Sequence, residues 1–582
     1  MKGTLKLSAQ RVSLAFTSLV SGMSRKLPRI NEQLIRTIGD DEDSESKVYL
    51  GSYKRYMNYL KGCDLGTYDI CLPGGCGRKV DILETIKMTF KHEVHFHTII
   101  NERISTRMYA AAANCPDDLH IRVSADGANV THEKSVVTMT MSMLCFGALI
   151  HAPLYNMPIA HFMGNESKAM LREKLSVCYD EIHNLNGKVV QLHLFSGGVF
   201  FARLKFHHVY DLKFAYNGLG HRGWSSEAYP HLFCLCPSLK LVSDNPTSSP
   251  EKECPPQIKC VRMTAQHFKN LVIAAKTERE HIESEFGYLT HKEKEKMFQD
   301  FVIEENFGVT DTGALAEFID MDTMRPDPLH CYLGNTTQHL KYIQQLKNEL
   351  GIEDTVFYAN YKQAVKGWPS TVWEKIMCQR IAPTLIGRYC NVFWEAVKCN
   401  GGQQFLEMLF GAEHNEATNV VNFGIVLNSF QCATQLMQAL WINRDGIKIF
   451  KAQVCIWFEH ATLTIFAAKK KETVYAHILR NIIPSAMESW YNETGVGYGF
   501  FSMQGPKHVN KQTKNLLQRH TNHHFDRYCI DGSANDSFVS ILRIVRWKFF
   551  AQHLKEHSTD LKKEIKVKME LFLNSQDEAQ RI

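Results

Sequence analysis

Residues Leu119 to Met143, LHIRVSADGANVTHEKSVVTMTMSM, decide the fold class. Ile121, Val123 and Ala125 alternate with polar neighbours, which puts them on one face of an extended strand, and Asp126 stands where the run gives way to Gly127. Val136 to Met143 alternates in the same way, so the two runs are expected to pair as antiparallel neighbours. Taken alone, an Asp at a strand end is a turn residue. The rest of the chain decides whether Asp126 is a metal ligand.

A chain of 582 residues is too long for one compact core. With 44% hydrophobic and 22% charged residues its composition is that of an ordinary globular protein. Seventeen cysteines are scattered without a dense short-range framework, and no cleavable signal peptide is read before them, so reduced thiols and an intracellular setting are expected. Lys2, Lys6, Arg11 and Arg25 interrupt or flank the apolar positions at the start, and no run reaches the roughly 18 apolar residues that span a bilayer. A net charge of +6 is mild, and nucleic-acid binding would rest on local basic patches.

Upstream of the opening stretch, residues 1–38 read as one or two short helices and Asp40 to Ser46 (DDEDSES) as an acidic, solvated linker. Cys63, Cys71 and Cys76 lack paired CxxC spacing. Lys79 to Ala113 has helical periodicity, with Ile82, Ile86, Phe90, Val94 and Ile99 on one face. Downstream, the pattern predicts a strand at Met157–Met163 and a helix from Glu166 to Asn184 with Asn165 as its cap. Strands are then predicted at Val189–Ser196, Val199–Phe206 and Val209–Tyr216. Several antiparallel strands with a helix among them predict a mixed sheet flanked by helices.

The last of these strands leads into the glycine-rich turn Asn217 to Gly223 (NGLGHRG), which carries His221 and Arg222. Leu232 to Cys236 (LFCLC) supplies half of a candidate metal site, because Cys234 and Cys236 offer two thiolates where a tetrahedral site needs four donors. Val242 to Pro256 is a loop that starts an insertion, and Met263 to about Lys471 is largely helical, near Thr264–Ile282, Thr337–Leu350 and Thr371–Arg380. Within it lies Asp327 to Asn335, DPLHCYLGN, where capping and packing account for Asp327, His330 and Cys331. Lys469 to Lys471 form a basic run. In Gly495 to Arg519, Pro506 is placed to open a helix that carries Lys507, Lys511, Lys514 and Asn515 on neighbouring faces, a stripe suited to phosphates or simply to water.

Several of these stretches, in order, resemble the catalytic core of the V(D)J recombinase and its Transib-type transposase relatives. They are Ala125-Asp126-Gly127 leading to Glu133-Lys134, Asn165 to Ser167, Phe214 to Gly223 before the Cys234/Cys236 pair, DPLHCYLGN, and Gln504 to Lys511. DPLHCYLGN is the most specific, and together they cover roughly residues 119 to 550. The resemblance implies an α/β, RNase H-like mixed sheet with a large, mainly helical insertion and a helical N-terminal region. The corresponding division is 1–115 with the acidic linker, 116–230 as the first part of the core, 231–485 as the insertion, 486–550 as the second part and 551–582 as a helical tail.

In that family three carboxylates of the DDE type hold two Mg²⁺ or Mn²⁺ ions for DNA strand cleavage and transfer. Asp126 matches the first, whereas Arg222 and Lys507 stand at the second and third positions. Cys234 and Cys236, with CxC spacing where CxxC is expected, and His477 match a zinc-binding region, and Ile482 stands where a second histidine is expected. The resemblance thus implies a nuclear, transposon-derived, homodimeric DNA-binding protein impaired in cleavage, with Lys511, Lys514 and Arg519 on the phosphate backbone and no membrane association. Two other readings stay open. One is an active enzyme recruiting Glu166, Glu227, Glu493 or another carboxylate; the other is a protein-interaction scaffold without DNA contacts.

Overall fold

The computed structural model describes residues 70–73, 77–92, 118–130, 135–193, 199–222, 231–236, 260–310, 318–366, 387–467 and 472–520, with the short pair Leu5–Lys6 and Lys47–Val48. Several expectations lie outside them: the helices of residues 1–38, the linker 40–46, the helix after residue 92, Glu133, Lys134, Glu227, the 242–256 loop, the 371–380 helix, Lys469 to Lys471 and the tail 551–582. The chain divides into two compact units, Met1–His208 with Gln504–Ile582, and Val209–Met503.

The first unit is built on a mixed sheet. Its strands are β1 (Ile70–Cys71), β2 (Gly77–Lys79), β3 (Asp118–Asn129), β4 (Ser135–Met143), β5 (Met157–Met163), β6 (Val189–His193) and β7 (Val199–Tyr210), in the order β1-β2-β5-β4-β3-β7-β6. The pairs β3–β4, β4–β5, β2–β5 and β6–β7 are antiparallel. The predicted pairing of the opening stretch is therefore present, with Val123 opposite Met141 and Asp126 opposite Thr138. One detail differs. Asp126 does not end its strand, because β3 runs on through Gly127 to Asn129.

Alternation along β3 and β4 separates two buried faces. Ile121, Val123 and Ala125 share the apolar face with Val137, Met139 and Met141. The opposite face carries Arg122, Ser124 and Asp126 against Ser142, Thr140 and Thr138. Polar side chains buried there need partners. Arg122 Nη2 donates to Asn156 Oδ1 at 2.7 Å and to Ser142 Oγ at 3.2 Å, while Asn156 Nδ2 donates to the Ile150 and Ala152 carbonyls at 2.8 and 2.7 Å. The helix Gln504–His520, called the basic helix below, packs against β3 and the turns beside it. A Cβ on Gly505 would lie 2.2 Å from Asn156 Nδ2 and 2.4 Å from the Ile150 carbonyl, so glycine lets the helix settle on the Arg122–Asn156 network. Helix and strand, distant in sequence, thus meet within the first unit.

Helix α1 (Ile82–His92) and α2 (Lys168–Leu185) complete the unit, tied by the Ile82 amide donating to Glu181 at 2.6 Å. The predicted cap of α2 is corrected from Asn165 to Ser167, whose hydroxyl accepts from the Met170 amide, and the helix starts two residues later than expected. The run Val209–Tyr216 is likewise no separate strand: β7 continues to Tyr210, and α3 (Leu212–Leu219) follows. Asp211 caps α3 by accepting from the Phe214 amide at 2.7 Å, and Gly220, at φ 74°, closes it in the left-handed conformation.

The second unit is helical among the described residues. Helices α4 (Ala265–Glu285) and α5 (His291–Glu304) form a hairpin over a small core of Ala275, Ile282, Phe298 and Val302, and a Thr290–Glu293 capping box starts α5. The larger core gathers α6 (Pro328–Glu349), α7 (Asp354–Ala364), α8 (Gly387–Asn400), α9 (Gly402–Phe410), α10 (Thr418–Gln438) and α11 (Arg444–Thr462). At its centre His339 lies among Trp394, Phe430 and Trp457, with its Nδ1 on the Asn335 carbonyl at 2.6 Å and Trp457 Nε1 donating to its Nε2 at 3.2 Å. Burial lowers the His339 pKa to about 4, which keeps it neutral. α12 (Val474–His477) runs through a π turn, Ile478–Ile482, into α13 (Ile483–Thr494).

Candidate metal centres and the basic helix

In the first unit Asp126 has a carboxylate neighbour. Glu166 precedes α2, its side chain is buried, and its Oε1 accepts the Gly127 amide at 2.7 Å. That bond places the Glu166 carboxylate beside Asp126, and ligand oxygens of the two lie within 4.8 Å of one another. Strand extension explains the geometry. Gly127 is free of a side chain where a Cβ would meet Glu166 Oε1 at 2.7 Å, so the carboxylate reaches the backbone directly. Behind Asp126, Thr138 Oγ1 is 3.1 Å from His161 Nδ1, and burial lowers the His161 pKa to about 3. A neutral His161 adds no positive charge to this end of the sheet. Two half-buried or buried carboxylates converging in this way suit a hard divalent ion such as Mg²⁺ or Mn²⁺, which takes oxygen donors.

The other two positions singled out by sequence are placed separately. Lys507 lies half-buried in the first turn of the basic helix, within the first unit. Arg222 belongs to the second unit, where its amide donates to the Gly308 carbonyl at 2.9 Å and its Nη1 to the Gln299 carbonyl at 3.5 Å. Of the proposed phosphate contacts, Lys511 is exposed and Lys514 half-buried, while Arg519 falls in the helix at a position whose side chain lies outside the described residues. Glu493 is exposed on α13 in the second unit. A carboxylate that the sequence reading used for nothing is Asp211, the first residue after β7, the strand next to β3 in the sheet. Its signal was a cap-type residue before an apolar helical repeat.

The second centre lies wholly in the second unit. Cys234, Cys236 and His477 come together as the resemblance implied, and Cys260 joins them; one ligand atom from each of the four lies within 4.8 Å of the others. Ile482, by contrast, is buried in the π turn and offers no donor atom. Cys234 Sγ is 3.2 Å and Cys260 Sγ 4.0 Å from His477 Nε2. The opposite ring nitrogen, Nδ1, faces Glu472 Oε2 at 3.4 Å and the Asn481 amide at 3.1 Å. Burial disfavours the imidazolium of His477, but hydrogen bonds with Cys236, Cys260 and Glu472 outweigh it and raise the pKa to about 11. Hydrogen bonds from Cys234 and Cys260 hold the Cys236 thiol below its ordinary range, and the same coupling pushes Cys234 up. A group of thiols sharing protons with an imidazole is poised to give those protons up to a cation.

DPLHCYLGN serves this second centre. Asp327 caps α6 by accepting the Leu329 and His330 amides, and Asn335 Nδ2 donates to the Tyr475 carbonyl at 3.1 Å, two residues before His477. Gly334 is required there, because a Cβ would lie 2.2 Å from the Tyr475 ring. Burial opposes ionisation of Asp327, yet His330 and the Met503 and Leu329 amides hold its pKa below the ordinary carboxylate value.

No helix among the described residues is long and apolar enough to cross a membrane. The sequence matches no family profile and no curated protein.

Proposed function

We propose that the chain is a transposon-derived DNA-binding protein of the DDE transposase type, with an RNase H-like core and impaired strand cleavage, acting in the nucleus as a homodimer. The observation that carries this reading is the return of the basic helix, across the long intervening unit, onto the face of β3 that bears Asp126. Strand order supports it too, since β3 lies between β4 and β7 with the antiparallel β5-β4-β3 run on one side.

Asp126 and Glu166 are the residues of the first unit that would hold a Mg²⁺ or Mn²⁺ ion. Such an ion polarises a phosphoryl oxygen and generates a nucleophile from bound water. The impairment follows from charge. Unit charges roughly 4 Å apart at an effective dielectric of about 20 interact by about 4 kcal/mol, and a divalent ion doubles this. With Lys507, of the same unit, in place of a third acid, that attraction becomes a repulsion of similar size. The stripe of Lys511, Lys514 and Arg519 then holds the phosphate backbone without chemistry.

Duplex DNA binding measured against salt tests the proposal. Each neutralised phosphate contributes a slope of about −0.9 in log K against log salt. Replacing Lys511, Lys514 and Arg519 by Ala should weaken binding and flatten the slope, and no DNA binding by the parent chain would favour the scaffold reading. In Mg²⁺ or Mn²⁺ the chain should cleave DNA no better than its Asp126→Ala variant.

A second reading has its own observation. Because Glu166 brings a carboxylate beside Asp126, a metal-dependent nuclease or transposase using that pair is the enzyme reading the geometry favours. Robust cleavage lost in both Asp126→Ala and Glu166→Gln would establish it.

A further inference from the structure

We infer that the second unit holds a structural zinc ion in a Cys₃His set whose fourth donor is Cys260, the position the histidine-less Ile482 does not fill. This rests on the second unit alone and is independent of DNA binding.

Pairing explains why CxC spacing works. The Leu235 amide donates to the Val261 carbonyl and the Met263 amide to the Phe233 carbonyl, both at 2.9 Å, with Cys234 opposite Arg262 in an antiparallel bridge. The same register sets Cys236 opposite Cys260. In an extended segment residues two apart face the same side, so Cys234 and Cys236 project together, and Cys260 joins them from across the bridge. A CxxC pair would need a turn at this point instead. The strand pair thus presents three thiols on one side, and α12 brings His477 to them.

The distances suit the ion. With Zn–S near 2.3 Å and Zn–N near 2.0 Å, tetrahedral geometry requires S···N separations of about 3.6 Å and S···S separations of about 3.8 Å. The observed S···N distances of 3.2 and 4.0 Å bracket that value, and all four donors lie within 4.8 Å. His477 is oriented for ligation: Nε2 faces the thiols while Nδ1 faces the Glu472 carboxylate, the arrangement that fixes the tautomer of a metal-bound histidine. Three soft sulfurs and one imidazole select zinc over Mg²⁺ or Ca²⁺, and four protein donors leave no open position, which makes the ion structural. Its effect is to clip the 231–236 and 260–263 segments to α12, which α6 already holds through Asn335 and Tyr475.

The test uses the full-length, reduced chain loaded with one equivalent of Co²⁺ or Zn²⁺. Cobalt should give a tetrahedral d–d spectrum with thiolate charge-transfer bands, and X-ray absorption of the zinc form should count three sulfurs and one nitrogen. Cys260→Ala should lower zinc affinity at least about tenfold and charge-transfer intensity by about one third, one thiolate of three. Cys399→Ala, at an exposed cysteine outside the group, should change neither. Cys260→His keeps a donor and should retain the metal while losing the same third of the intensity. Should both Cys260 variants fail to fold, the sulfur count of the parent decides, and two sulfurs overturn the proposal. So do a parent chain that binds neither metal through thiolate, and a Cys260→Ala protein with parental affinity and spectrum.

Discussion

Gly127→Ala is the sharpest probe of the Asp126 site, because the structure assigns its whole effect to one neighbour. An ideal Cβ at position 127 meets Glu166 Oε1 at 2.7 Å, Cδ at 2.9 Å and Cγ at 3.1 Å. The backbone itself tolerates alanine, since Gly127 is not among the positive-φ glycines. Glu166 must therefore swing away and surrender the 2.7 Å bond from the Gly127 amide. Hydrogen bonds to charged groups contribute about 1.5–3 kcal/mol, so the first unit should lose about that much stability. In a Glu166→Ala background the clash is gone, and replacing a strand glycine by alanine should then be neutral or stabilise by about 0.4–1 kcal/mol through the unfolded chain. The two effects have opposite sign. Urea unfolding of the four proteins of this cycle, with hydrogen exchange at residue 127 as the local readout, should give a coupling of at least about 1.5 kcal/mol. Equal cost of Gly127→Ala in both backgrounds would refute the placement of Glu166 and remove the pairing with Asp126.

Other consequences follow from the same contacts. His161 and His208 have pKa values lowered to about 3 by burial, and His151 to about 4 by burial, Arg122 and His508, so each stays neutral in the fold while the unfolded chain takes up a proton below 6.5. Stability should be fully present above pH 6.5 and fall as pH drops toward the folded values, by about 2 kcal/mol per fully buried histidine between pH 6.5 and 5, and His161→Gln should flatten that limb in pH-dependent urea unfolding. Glu472→Gln should lower zinc affinity by about 10–100-fold in a chelator competition, because it weakens the partner of His477 Nδ1. Gly334→Ala should destabilise the second unit in thermal unfolding, since its Cβ would overlap the Tyr475 ring, whereas Gly351→Ala, with open space around it but a φ of 68°, should cost only backbone strain of about 1 kcal/mol.

The parts of this fold that were legible in the sequence are those set by local pattern. Alternation in β3 and β4 sets their pairing because the apolar row and the polar row must each meet its like, and a slip of one strand by one residue would set Val123 against the buried polar row of Thr140 and Ser142. Where local signals competed, the reading failed. Val209 to Tyr216 alternates well enough for a strand, yet Asp211 at a cap position and Gly220 at a left-handed end convert it to a helix. Asn165 and Ser167 are both good caps, and sequence alone does not choose between them; Glu166, turned toward Gly127, fixes the choice. Cys260 was invisible for another reason. No spacing rule connects it to Cys234, because the two are far apart in sequence and the connection is a backbone pairing.

DPLHCYLGN shows how a short motif can be specific without touching any reacting atom. Asp327 caps α6 and also accepts the Met503 amide at 3.0 Å, the residue before the basic helix begins. Pro328 occupies the first helical turn, where its missing N–H costs nothing. Four and eight residues beyond Asp327, Cys331 and Asn335 meet the Tyr475 carbonyl at 3.5 and 3.1 Å, and Gly334 makes room for the tyrosine ring. Each residue type is thus dictated by a backbone group it must satisfy or a ring it must admit. One helix end fixes both the approach to His477 and the Met503 backbone, so Asp327→Asn should loosen the two together. Its neutral amide can still accept from Leu329, but it weakens the charge-assisted bonds by roughly half. Loss of zinc affinity together with a lower thermal midpoint of the second unit would be the signature; an unchanged zinc affinity would mean the motif only packs.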